Sequence, residues 1–195
     1  MNQFDYPLGA TPLNPDEIEG LKLKYITTRA ELDRWEQENI QEALAWLSRR
    51  RKADILDEHF IRQLHDKMFN KVWRWTGSFR RSDKNIGVPW SRVPIEIRQL
   101  LNDTKAWIDY GAYAPDEIAF RFHHRLVWIH LFPNGNGRHA RLITDVLLTE
   151  LLNQEPFSWG SDDLSNASTV RKQYITALKA ADEHDYELLR AFVRS

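Results

Sequence analysis

A histidine, a small polar turn and two arginines stand together at residues 130–141, which read His-Leu-Phe-Pro-Asn-Gly-Asn-Gly-Arg-His-Ala-Arg. Imidazole is the side chain best suited to taking a proton near neutral pH, so His130 is a candidate general base. Gly135 and Gly137 open backbone conformations closed to other residues, which lets 134–137 curl into a nest of N–H groups around one oxyanion. Arg138 and Arg141 fall three apart on the helix expected to follow, on one face near its positive end. Amides, a helix N-terminus and two forked guanidiniums make a polyphosphate cradle, and His130 just ahead of it is placed to activate an incoming nucleophile. Taken alone, Asn134-Gly135 and Asn136-Gly137 are ordinary turn dipeptides. The flanks argue for more: Ile118, Phe122, Leu126 and Ile129 before the turn, and Leu142, Ile143, Val146, Leu147 and Leu151 after it, keep helical spacing, and a plain turn between core helices needs neither the histidine nor the paired arginines.

The elements that must hold this turn are helical. Asn14-Pro15-Asp16-Glu17 starts a short helix that Gly20 stops. Thr28-Arg29-Ala30-Glu31 is a capping box ahead of an amphipathic run marked by Leu32, Trp35, Ile40, Ala43, Leu44 and Leu47, ending near Arg49-Arg50-Arg51-Lys52. That basic cluster reads as a solvated helix terminus. Asp57 caps a helix striped by Phe60, Ile61, Leu64, Met68 and Val72; further helices run from Ile95 to Gly111, from Pro115 to the turn, from Arg138 onward, from Val170 to Ala181, and after Asp185. Between Gly77 and Pro94 the helical period disappears, and Phe79, Ile86, Val88 and Trp90 among polar residues read as a short β-hairpin. Trp35, Trp46, Trp107 and Trp128 read as core or partly buried packing. The fold class is all-α with one small β excursion.

Composition narrows the classes further. A chain of 195 residues suits one domain with a modest extension. It has no cysteine, hence neither a disulfide nor a thiolate metal site, and 27 basic residues against 28 acidic ones give no broad positive field for nucleic acid. No leader pattern or spanning stretch is seen, so the expected location is soluble and cytoplasmic.

The 130–141 run resembles the signature of the Fic (filamentation induced by cyclic AMP) domain family, His-Pro-Phe-x-(Asp/Glu/Asn)-Gly-Asn-Gly-Arg-x-x-Arg, departing at Leu131 where the family has proline. The likeness extends from about Asp57 onward and includes a flap-like segment from Arg80-Arg81 to Val88. It implies a Fic-type helical bundle with a short hairpin flap, divided into an N-terminal helical extension over 1–54 and a catalytic domain over 55–195. Ala10 to Glu17 also resembles a bacterial subgroup, mobile mystery protein B, whose members are typically encoded beside a helix-turn-helix antitoxin.

The resemblance implies a nucleotidyltransferase that moves AMP from ATP onto a Ser, Thr or Tyr hydroxyl of a target protein, with His130 as base. It places Asn134 on Mg²⁺, Gly135, Asn136 and Gly137 around the phosphates, Arg138 and Arg141 on the β- and γ-phosphates, and Phe132 as the loop anchor. Asn85, Ile86, Gly87 and Val88 are the flap that pairs with an extended target segment. Tyr174 is a candidate for the adenine pocket. Many relatives silence themselves with a short helix ending Ser/Thr-x-x-x-Glu-Gly/Asn; Pro15 to Gly20 supplies only its Glu-Gly end, making Glu19 the candidate inhibitory carboxylate against Arg141. Three alternatives stand beside this reading. One is a phosphotransferase branch of the same fold, whose turn reads Ala-Asn-Lys. Another is a phosphohydrolase using His123, His124, His130 and His139 as a metal cluster. The third is an inactive module that binds a nucleotide or a partner.

Overall fold

The structure, a computed structural model, describes residues 11–51, 54–160 and 169–195. Ala10 of the subgroup-like run and Lys52 of the basic cluster lie outside them. Among the described residues eight α-helices follow one another: α1 Pro15–Ile18, α2 Arg29–Arg49, α3 Glu58–Phe69, α4 Val93–Asp109, α5 Pro115–Ile129, α6 Asn136–Glu150, α7 Thr169–Asp182 and α8 Glu187–Val193. Local chemistry sets several ends. The Thr28 hydroxyl accepts the Glu31 amide while the Glu31 carboxylate accepts the Thr28 amide, the reciprocal box read from the sequence. α6 opens two residues earlier than Arg138, at Asn136, because Gly135 adopts the left-handed conformation that turns the chain into the helix.

Two buried clusters share α5 and α6. Phe122, Leu126 and Ile129 of α5 and Ile143 and Leu147 of α6 join α3 and α4 in the larger one. Ala119, Phe120 and Leu148, from the far ends of the same two helices, join α7 and α8 in the smaller. The turn between α5 and α6 is therefore seated in the larger core through Leu131 and Phe132, while the smaller core fixes the far ends of the two helices. Leu13, Leu21, Ile26, Leu32 and Ala43, all from the first 54 residues, are buried in the larger cluster.

The expected hairpin is absent. Among the described residues the one β pairing is an isolated antiparallel bridge between Leu21 and Trp73, and 77–92 runs through turns and bends to a 3₁₀ turn at Trp90–Arg92. A buried cation replaces the missing ladder. Arg80 donates from Nε to the His130 carbonyl (2.6 Å), from Nη1 to the Ser82 carbonyl (2.9 Å), and from Nη2 to the carbonyl of Val88. One guanidinium thus satisfies two backbone acceptors of the segment, at Ser82 and Val88, and ties it to the end of α5. Two smaller expectations also change. Arg50 is not solvated but ion-paired to Glu150 (2.5 Å) over the Phe60 ring. Trp35 and Trp128 stand at the surface, where Trp128 carries Arg125 on its face. No helix among the described residues is long and apolar enough to cross a membrane.

Candidate active site

His130 closes α5 in a left-handed conformation (φ 58°, ψ 67°), uncommon for a residue with a side chain. Three contacts hold it there: its amide reaches back to the Leu126 carbonyl, Arg80 grips its own carbonyl, and Gly87 packs against its Cβ. A Cβ added at Gly87 would lie 2.7 Å from that of His130, and Gly87 itself has φ +102°, so both space and backbone demand glycine. Burial pushes the imidazole down to a pKa of about 4, and the positive charges of Arg80 and, more weakly, Lys84 push the same way against the Val127 carbonyl. The ring is neutral at physiological pH, the form in which it can accept a proton.

The turn after it is built by its own side chains and by braces from outside it, His65 foremost. The Asn136 amide group bridges both backbone atoms of Phe132, accepting from its N–H (2.9 Å) and donating to its carbonyl (2.8 Å). This side chain ties the loop, so what Asn136 offers an anion is its main-chain N–H. Gly135 (φ +78°) sits against the Phe69 ring, 2.7 Å from where a Cβ would lie. The first-turn amides of Asn136, Gly137 and Arg138 have no partner within the helix and converge at its positive end. His65, which sequence reasoning passed over, is the main outside brace. Its Nδ1 accepts the Gly77 amide (3.1 Å), which leaves the proton on Nε2 to be donated to the Asn134 carbonyl (3.1 Å), and its ring stacks on Phe132 at 3.7 Å.

The two arginines are held differently. Arg138 forms an ion pair with Glu36 of α2 at 2.7 Å, off the hydrogen-bonding direction, and lies over the Phe69 ring. The other oxygen of that carboxylate accepts the indole N–H of Trp73 (2.6 Å). Arg141 lies over Tyr174, whose buried hydroxyl meets His123 Nε2 at 2.8 Å. Asn134 spends its side-chain oxygen on the Gly135 amide (2.7 Å) and its NH₂ on the Thr11 carbonyl (3.1 Å).

One cavity of about 1200 Å³ is lined by His130, Asn134 to Arg138, Arg141 and Tyr174, together with Asn85, Ile86 and Gly87. The structure thus gathers the expected base, nest, arginines and flap residues, but leaves two apart. Val88 is buried with its carbonyl on Arg80. Glu19 is exposed at the end of α1, its carbonyl accepting Lys24, and does not reach Arg141; the carboxylate beside a motif arginine is Glu36. The other histidines are dispersed. His123 is on Tyr174, His124 on Asp182 (2.9 Å) and His139 on the Ile61 carbonyl (2.9 Å), and no group of three metal-ligating side chains occurs among the described residues. Besides His65, the reading of the sequence missed Thr11, Glu36 and the capping role of Arg80. None lies within helical spacing of the motif, so no periodic signal marks them.

Residues 55–148 match the family model described as Fic/DOC family. The chain is 31% identical over 147 residues to the protein adenylyltransferase Fic of Aedes aegypti, covering 73% of this chain and 27% of that protein. It is 30% identical over 147 residues to the protein of the same name in Drosophila melanogaster, with the same two shares. The chain spans about a quarter of the length of the curated relatives it matches. Among solved structures, the N-terminal FIC domain of Bep8 from Bartonella sp. 1-1C superposes with a TM-score of 0.70 at 14% identity, covering 90% of both chains. BepC of Bartonella tribocorum, solved with bound AMPPNP, gives 0.68 at 14% identity over 93% of this chain and 97% of that one. At such identities the likeness is one of fold.

Proposed function

Because the chain is a Fic-domain protein, we propose that it transfers the AMP of ATP to a hydroxyl of a protein, with His130 as general base. The observation that carries this reading is a buried, neutral imidazole sharing one cavity with the first-turn amides of α6 and two arginines. In this reaction Nε2 takes the hydroxyl proton as the oxygen attacks the α-phosphorus, and pyrophosphate departs. Charge spreading over the phosphoryl oxygens meets the amides of Asn136, Gly137 and Arg138 and the guanidiniums of Arg138 and Arg141, donors fixed before the reaction begins. Tyr174 carries Arg141 over its ring and lines the same cavity, so the adenine contact that the resemblance suggests for it stays part of this reading.

The Asn134 side-chain oxygen, which accepts the Gly135 amide with one lone pair, has a second with which it would hold Mg²⁺ as a neutral ligand beside the phosphates. The metal would neutralise phosphate charge there. The target segment belongs along Asn85 to Gly87, exposed at the cavity, and a helix-turn-helix antitoxin is the further partner that the subgroup resemblance implies.

Incubating the protein with magnesium and a cell lysate in the presence of ATP labelled at the α- or the γ-phosphate tests the reading. Label from α but not γ in protein bands is the expected result. Transfer from γ would make it a phosphotransferase, and no transfer with intact ATP binding would make it a binding module.

A further inference from the structure

The hydroxyl nearest the base belongs to the chain itself. Thr11 Oγ1 lies 3.1 Å from His130 Nε2 in a buried contact between residues 119 positions apart. The ring's Nδ1 is buried without a hydrogen-bond partner, so Thr11 is the group that meets the imidazole, and with the proton on Nδ1 the Nε2 lone pair accepts from the Thr11 hydroxyl. Nor is the threonine there by accident of one contact. Asn134 donates to its carbonyl (3.1 Å), Leu13 is buried in the main core, and Asn14 donates to the Ser82 hydroxyl (3.0 Å). Lys84 ion-pairs with Glu17 and also reaches the Pro12 carbonyl (3.5 Å). Thr11 lines the same cavity as the nest and the flap residues. The strap 11–17 is therefore fastened across the flap, with one hydroxyl delivered to the catalytic imidazole.

A nucleophilic oxygen within hydrogen-bond reach of its base, beside an oxyanion nest, is the geometry of an acceptor poised for attack. We propose that Thr11 is an acceptor of AMP within its own chain, modified in cis at the site that serves protein substrates. The step rests on the AMP-transfer reading above. Thr11 Oγ1 forms a bond to the α-phosphorus of ATP, the bond from that phosphorus to the α,β-bridging oxygen breaks, pyrophosphate leaves with the electron pair, and the hydroxyl proton passes to His130 Nε2. The product is a phosphodiester linking Thr11 to AMP, and no further reactant is needed.

The full chain, incubated with magnesium chloride and α-labelled ATP, should acquire label that peptide mass mapping places on Thr11. The labelled fraction at a given time should not change with protein concentration, since acceptor and base share a chain. Thr11→Val should lose this adduct while keeping the wild-type melting temperature, and Thr11→Ser should restore it. Parallel reactions with lysate separate the two readings. Labelled lysate proteins with no label on Thr11, self-label mapping elsewhere and persisting in Thr11→Val, or a labelled fraction rising with concentration would each overturn the Thr11 assignment while AMP transfer stands. No label in chain or lysate overturns both.

Discussion

The anion nest draws its parts from consecutive residues 134–138, whereas His130 is set largely by groups 43 to 119 positions away, Gly87, Arg80 and Thr11. The nest is stabilised mainly from within, by Asn136 bridging Phe132 and by a helix beginning on a left-handed glycine. The histidine owes its strained conformation to distant partners. A phosphate cradle can be assembled locally because every peptide carries a donor. A base must instead be aimed at an atom of something else, and aiming takes parts from several elements.

Breaking one region while sparing the other sharpens that contrast. The largest effect is expected from His130→Ala, which should lower transfer by about 10²- to 10⁴-fold with ATP binding nearly unchanged, as a titration of nucleotide would record. A parallel loss of binding would show that the two regions are one unit. Acid should weaken both together. Unfolded histidines titrate near 6.5, while burial first, and then the Arg141 charge, holds His123 near 3, and burial holds His130 and His139 near 4; burial lowers His65 as well. As pH falls from about 6.5 towards 4 the unfolded chain takes up protons that the folded one refuses, so stability present at pH 7 drains away across that window. Denaturant midpoints that stay flat from pH 7 to 5 would contradict this. Asn136→Ala removes two buried loop bonds and should cost about 2 kcal/mol in unfolding free energy, a nest defect visible without any substrate. The smallest effect is expected at Glu36→Gln, which keeps an acceptor for Trp73 but releases Arg138. Apparent ATP affinity should rise by about fivefold, the equivalent of roughly 1 kcal/mol for a partly exposed ion pair. Unchanged affinity would mean that Arg138 serves the nest only from its Glu36-bound position.

The same contrast explains what could be read from the sequence. Capping residues and apolar spacing located the helices within a few positions, and the 130–141 motif supplied the nest, since both signals are local. The hairpin failed because loss of the helical period does not by itself mean strand pairing, and here a single arginine ties the carbonyls of Ser82 and Val88. Glu19 was singled out for its neighbouring glycine. The carboxylate that meets Arg138 is chosen instead by the packing of α2 on α3, which brings Glu36 beside Trp73 and the motif. Thr11 belonged to the run that resembles the bacterial subgroup but carried no sign of a role at the site, because a lone threonine in an extended stretch gains meaning only from what it touches.

Arg80 has a consequence for anyone seeking to redirect the protein to new targets. Its guanidinium ties the carbonyl of Val88 to that of His130, and Gly87 packs against both the guanidinium and the His130 Cβ, so these positions cannot be varied without disturbing the base. Asn85 and Ile86 are exposed at the cavity and carry no such duty. A library aimed at recognition therefore has two free letters in that segment, and its remaining diversity must come from the strap that lies across it.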